Sequence, residues 1–386
     1  MTCEAPSTGT SPGSIPRILE ARDGRTLLRN APPSVCSGSA ASSARASRRR
    51  CRRPGSGGRP SSLWPSVRRD HRSRPQTCPA GAGFAVMAWG FIQFHDASHF
   101  AFAGGSHVNR VLAGSWAGLG FWPPWIWHKH HVELHHSCTG DYQRDPDLRH
   151  GAPFMRKTAE APSRRYLGVP AVLQFAAMFV FPGMYFGQVM YYTMVRLGLK
   201  KHLWKMTDLT PRDFGPISTV ELAIHVWLPL WVASLWHWAG LGLAVAALAV
   251  YMLAANFTYA ANILPDHDTD ASHSNLAAIQ RLETHADAAK RALASSWSAK
   301  QIAASANWAG STWCFWFGGI NYQIEHHLFP RIHHSYYPEI APIVKATCAR
   351  YGVPYVHYSS FATAIAAVYK QVLAANQDVF SRVKEL

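Results

Sequence analysis

Acidic side chains are scarce in this sequence: 22 Asp and Glu stand against 38 Lys and Arg, for a formal charge of +16. The excess is unevenly placed. Residues 1–80 hold 15 Arg, no Lys and 4 acids, so they carry +11 and leave +5 for the other 306 residues. A charge concentrated in a tail, over a body with no basic stripe, argues against nucleic acid as the partner. Cysteine is equally thin. The seven stand at positions 3, 36, 51, 78, 138, 314 and 348 with no CxxC and no regular spacing, which leaves no disulfide framework and marks them as reduced and incidental. Nor does the apolar stretch of a secretory signal precede Arg17.

What is present divides the chain in two. Residues 1–78 are rich in Ser, Arg, Pro and Gly with almost no apolar periodicity, and read as a disordered tail: an organellar transit peptide, or residues added by a misplaced gene start. From residue 79 to 386 the chain is lipophilic. Hydrophobic residues make up 48% of the whole and 15 of its residues are Trp, which favours an integral membrane protein over two or three soluble domains. The run Ala80–Phe94 leads into His95 as the cytosolic end of a membrane helix, short for a span. Residues 108–127, broken by Pro123 and Pro124, are expected at the membrane interface. Residues 166–195 have the hydropathy of a span. Basic residues flank them on both sides, however, and Pro170 and Pro182-Gly183 interrupt them, so an interfacial or re-entrant segment is expected. Val220–Trp236 and Leu241–Asn262 are expected to form a membrane hairpin turning near Gly240, with the chain from Pro265 onward as a cytosolic cap. The expected fold class is therefore an all-α integral membrane protein whose helical cap lies on the cytosolic side.

Histidine is abundant, 21 residues in all, and three dense clusters stand out. They are His95-Asp-Ala-Ser-His99, HKHHVELHH from His128 to His136, and Gln323-Ile-Glu-His326-His327. On an α-helix His95 and His99 share a face, as do His131 and His135, with His136 turned about 100° further round. Gln323 stands one turn before His326 and His327. Neutral imidazole suits iron, zinc or copper. So many imidazoles exceed the three protein ligands of a catalytic zinc, and the shortage of carboxylates separates the set from soluble di-iron bundles. Two irons that activate dioxygen are the economical reading. Glu133, Glu325, Asp96, Asp145 and Asp147 are expected to hold imidazole tautomers. His107, His150, His225, His237, His333 and His334 are expected to be structural or solvated, and Trp116, Trp122, Trp125 and Trp127 are candidates for the wall of a substrate tunnel.

HDASH, HVELHH and QIEHH, in that order around a membrane hairpin, resemble the three histidine boxes of membrane fatty acid desaturases. The Gln that opens the third box resembles the front-end subgroup, which inserts a double bond between an existing one and the carboxyl end. Trp308-Ala-Gly, Asp145-Pro-Asp147 and the stretch from Gly318 to Tyr355 extend the likeness over roughly residues 83–357. The resemblance implies a di-iron, O2-dependent oxidoreductase with His95, His99, His131, His135, His136, Gln323, His326 and His327 as ligands. Its substrate would be a fatty acyl lipid or acyl-CoA in a membrane, in the endoplasmic reticulum or alternatively a plastid. Members often carry one more ligand after the hairpin; here Asn262 keeps part of that pattern and His267 is a substitute. The His-Pro-Gly-Gly haem motif of a fused cytochrome b5 domain is missing, so electrons are expected from a separate cytochrome b5 or ferredoxin. The family's first membrane helix is not recognisable. A sphingolipid desaturase or acyl hydroxylase on the same scaffold, a non-catalytic membrane metal-binding protein and an inactive fragment are the alternatives.

Overall fold

A computed structural model describes residues 79–119, 127–149, 155–161, 170–180, 194–198, 210–213, a few positions between 230 and 237, and 240–377. The tail, His150, His225, Trp122, Trp125, the side chain of Trp116 and most of the first half of the expected hairpin lie outside the described residues.

The first box ends a rod made of α1 (Pro79–Ala85), a π-helical turn (Val86–Gly90) and α2 (Phe91–Ser98). Backbone angles at Ala85 and Phe91 stay helical, so the rod runs on without a break. It stops at the box because Phe100 takes a φ of 59°, in the left-handed region that a helix cannot continue through. The next helix, α3 (Ser106–Leu119), packs back against α2. The second box was expected as an α-helix. Instead His128–His135 winds as a π-helix and continues as one α turn through Cys138. The wider i→i+5 winding aligns residues five apart, which changes which histidines meet.

Helix α4 (Ala171–Val180) is the longest described stretch of residues 166–195, most of the rest of which lies outside the described residues. Its ten residues reach about 15 Å, half the hydrocarbon thickness. It lies against α5 (Leu241–His267), where Asn256 Nδ2 donates to the carbonyls of Met178 and Phe179 at 3.1 Å. Helix α5 has 27 residues, about 40 Å, and is apolar enough to cross a membrane. Leu241, Leu243, Val245, Val250, Leu253 and Phe257 point outward, whereas its second half from Ala255 to Asp266 is mostly buried. The cap was expected to begin at Pro265. The helix instead carries Pro265 within it and delivers His267 on its last turn.

Beyond it stand α6 (Asp270–Arg281), α7 (Ala288–Ser295), α8 (Trp297–Ala303), α9 (Ser311–Phe317), α10 (Gln323–Leu328), α11 (Tyr337–Tyr351) and α12 (Phe361–Ala375). Thr269 and Ser360 begin α6 and α12 with capping boxes to Ser272 and Thr363. Among the described residues the fold departs from all-helical in a two-residue parallel ladder, β1 (Asn307–Trp308) with β2 (His357–Tyr358), and in an isolated bridge between Asn307 and Tyr322. The main core joins Phe91 and Phe94 of α2, Trp127, Tyr259 and Leu264 of α5, Ile320, and Val368 and Val372 of α12. It thereby draws the three boxes to one place. The last step in that approach belongs to Gly318, which ends α9 at φ 61° and lies so close to α2 that a Cβ there would fall 2.1 Å from Ile92 Cγ2.

Candidate metal centre

The seven box histidines and His267 come together in two adjoining groups, all of them buried or nearly so. Ring nitrogens of His95, His99, His131 and His326 lie within 4.8 Å of one another in the first. His136 joins it, with Nε2 at 3.0 Å from both His131 Nε2 and His326 Nε2. The second group is His135, His267 and His327. His267 Nε2 lies 3.0 Å from His327 Nε2 and 3.3 Å from His135 Nε2.

Their outer nitrogens explain why the inner ones converge. In the second group each Nδ1 is engaged by a protein acceptor. His135 Nδ1 donates to Asp145 Oδ1 at 3.0 Å, His327 Nδ1 to Gln301 Oε1 at 2.7 Å, and His267 Nδ1 to the Ala304 carbonyl at 3.0 Å. With the Nδ1 proton held from behind, the neutral rings of His267 and His327 turn their Nε2 lone pairs toward the place that His135 Nε2 also faces, a donor set that suits a cation. In the first group His326 Nδ1 contacts Tyr337 Oη at 3.3 Å and His95 Nδ1 contacts Asp96 Oδ1 at 3.4 Å. His99 Nε2 and Gln323 Oε1 are buried polar atoms with no protein partner. Orphaned acceptors beside crowded imidazoles fit a pair of metal ions.

Charge agrees with this. Burial and the neighbouring imidazoles hold His131, His136, His326 and His327 well below the usual histidine range, so they are neutral, the form that binds metal. Burial lowers His135 too, but the carboxylates of Asp145 and Asp147 outweigh it and lift the ring to about 9. The Asp-Pro-Asp pattern builds that environment locally. Asp145 caps a 3-10 turn with Pro146 in its first position, accepting from Asp147 N and from Gly140 N, and the same carboxylate receives His135.

Several expectations need correction. The π winding widens the expected pair: ring nitrogens of His131 and His135 lie within 4.8 Å of each other and of an Asp147 oxygen, and in addition His131 meets His136, five residues on, while His135 meets His267 of the second group. Glu133 holds no imidazole of the centre; it is exposed, paired with Lys129 at 2.5 Å and His128 at 3.4 Å. Glu325 is buried but turned away from the rings. Its carboxylate accepts from Asn307 Nδ2 at 2.7 Å and Tyr355 Oη at 2.9 Å, and burial pushes it up to about 7. Of the two roles expected for His334, structural or solvated, the contacts fit the structural one: its Nδ1 donates to Asp96 Oδ2 at 2.6 Å. Asn262 is buried on α5, its Nδ2 donating to the Thr258 carbonyl one turn back. Gln323 sits at the second group, with Nε2 at 2.9 Å from His267 Nε2 and 3.2 Å from His327 Nε2. A half-turn of that amide presents Oε1 to the same point. Trp127 stacks on His131 at 4.1 Å and 23° and donates Nε1 to Ser98 Oγ at 2.9 Å. Gln301 and Thr139, bonded to each other at 2.9 Å, were not foreseen, because nothing in an isolated Gln or Thr marks it as an imidazole's partner.

A void of about 20 Å³ touches both groups. Phe91, Trp127, Tyr259, Ile263 and Ile320 give it an apolar side, and His95, His131, His135, His267 and Gln323 a polar one.

The family model described as fatty acid desaturase matches residues 76–359. The sn-1 linoleoyl-lipid 6-desaturase of Synechocystis is 28% identical over 291 residues, 74% of this chain and 76% of that protein. The acyl-lipid (7-3)-desaturase of Diacronema lutheri is 30% identical over 289 residues, 71% of this chain and 58% of that protein, and the acyl-lipid (8-3)-desaturase of Physcomitrium patens is 27% identical over 297 residues, 74% and 57%. The chain thus spans about three quarters of the first and under three fifths of the other two. With the match running from before the first histidine pair to well past the third, the chain belongs to the fatty acid desaturase family.

Proposed function

We propose that this fatty acid desaturase inserts a cis double bond into an already unsaturated fatty acyl chain, on the carboxyl side of an existing double bond. The observation that carries the reading is the pair of imidazole groups with convergent Nε2 atoms, set against an apolar-walled void. His95, His99, His131, His136 and His326 would hold one iron, and His135, His267, His327 and Gln323 the other. Bound iron supplies dioxygen activation and the oxidising power to remove hydrogen from an unactivated methylene. The chain's own residues do the rest. Asp145, Gln301, Ala304 and Tyr337 fix the rings from behind. Phe91, Trp127, Tyr259, Ile263 and Ile320 exclude water and decide which carbon is presented, so bond position follows from their shape. O2 takes up two electrons from the substrate and two from a separate carrier, cytochrome b5 or ferredoxin.

The reading places all three boxes on the cytosolic side of the endoplasmic reticulum or a plastid membrane, with residues 166–195 not crossing. The basic residues on both sides of residues 166–195 and the prolines within them support this. Cysteines at Arg164 and Lys200 should label from the same side, and labelling of only one from the cytosol would overturn the topology. The function is tested by expression in a host with simple lipids, fed candidate unsaturated fatty acids. Mass spectrometry should find a new double bond nearer the carboxyl end, absent with His326→Ala. A hydroxylated product, or no product from any fed acyl chain, would refute it.

A further inference from the structure

We infer that His334 is a positioning residue for the metal held by the first imidazole group, acting on His95 through Asp96. The inference rests on the metal reading above. It begins with a carboxylate in an unusual place: Asp96 is 2% exposed and follows His95 directly on α2. Its side chain has two partners among the described residues. Oδ1 faces His95 Nδ1 at 3.4 Å, a long contact, and Oδ2 accepts from His334 Nδ1 at 2.6 Å, a short one. The strong bond is therefore the one to His334, and it sets the rotation of the carboxylate that His95 meets.

The chain is built to make that bond. His334 lies 238 residues from Asp96, on a 3-10 turn (His334–Tyr336) just after the third box. Its carbonyl accepts from Cys314 Sγ at 3.3 Å, and His333 stacks on its ring at 4.2 Å. Gly319 makes the room. Its φ is 72°, and a Cβ there would lie 2.5 Å from His334 Cβ, so the same glycine pair that leads into the third box seats His334 against the first. The other ligands with an engaged Nδ1 need no such help. Asp145 is locked by Gly140 N and Asp147 N, and Gln301 by the Thr139 hydroxyl. Without His334, Asp96 would keep one buried oxygen unbonded and no anchor for the other. His95 would lose the acceptor that keeps its proton on Nδ1 and its Nε2 free for metal.

The test is iron retention. Wild-type, His334→Ala, His334→Asn and Asp96→Asn chains are loaded with iron(II) without oxygen, and release to a chromogenic chelator is followed in each. The wild type should release two irons slowly. His334→Ala should keep one as tightly and hold the other about 10–100-fold more weakly, the usual cost of losing a ligand's hydrogen-bond partner. His334→Asn, whose amide can donate from nearly the position of Nδ1, should restore most of the loss. Combining His334→Ala with Asp96→Asn should be no worse than the weaker single variant, because both act on one ring. If His334→Ala does not accumulate in membranes, His334→Gln, whose amide stands one bond further out, should show the same selective loss. Two irons held as tightly in the alanine or glutamine variant as in the wild type would overturn the inference and leave the metal reading standing. A wild-type chain that takes up no iron would overturn both.

Discussion

Replacing Gln301 with Leu removes the one acceptor that His327 Nδ1 meets at short distance, 2.7 Å, while filling the same buried space. A buried donor left without a partner costs about 1–3 kcal/mol. Thr139 Oγ1 stands 3.3 Å from the same nitrogen and takes over part of the bond, so the lower half of that range, about 1–2 kcal/mol, applies here. Against a typical total of about 5–15 kcal/mol the protein stays folded. The metal is more sensitive than the fold. A ring free to rotate or to move its proton to Nε2 no longer presents a fixed lone pair, and affinity at the second group should fall about 10–100-fold. Gln301→Glu keeps an acceptor at the same place and gives His327 a carboxylate of the kind Asp145 gives His135, so it should bind iron at least as tightly as the wild type. Chelator competition on iron-loaded protein, with a thermal melt as the control for folding, separates the two effects. A Gln301→Leu chain that melts earlier yet holds both irons with unchanged affinity would refute the reasoning.

Gln323→Ala should abolish or nearly abolish product while the protein still inserts, and Gln323→His should keep part of it, measured as product double bond per immunoblotted protein. Near-normal conversion by Gln323→Ala beside an inactive His326→Ala would remove Gln323 from the centre. Gly318→Ala should destabilise by at least about 1–2 kcal/mol, since its Cβ would enter Ile92 at a positive φ that favours glycine; an unchanged melting temperature would contradict this contact. Glu133→Ala should leave activity intact and stability within about 0.5 kcal/mol, as expected of an exposed ion pair, and a loss of iron would restore it to the centre.

That the box histidines gather in one place was legible in the sequence because dense clusters of imidazole have few structural uses, and the order of the three boxes pointed to the desaturase family to which the chain belongs. The pairing of those histidines was not legible. It depends on the π winding of His128–His135, which brings His136 as well as His135 to His131, and a histidine spacing read at the α period finds His135 and misses His136. The groups that hold the rings were read where they sit near a box, as Asp145 and Asp96 do, and missed where the fold brings them from elsewhere. Gln301 and Tyr337 belong to the latter kind, and only α8 and α11 packing onto the boxes makes them partners. Glu133 erred in the opposite direction. Lys129, one helical turn before it, was the sign of a solvated pair. The span at Leu241 was read well as to its start, yet the end of α5 was set short, because Pro265 reads as a boundary when it is seated in the last turn of a helix.

The central claim is that the two imidazole groups each hold an iron. Elemental analysis of protein purified without oxygen, counting iron and zinc per chain, tests it most directly. Two irons and no stoichiometric zinc are expected, falling to one iron when His267 or His135 is replaced by alanine. One zinc per chain, or a metal count that neither substitution changes, would contradict it.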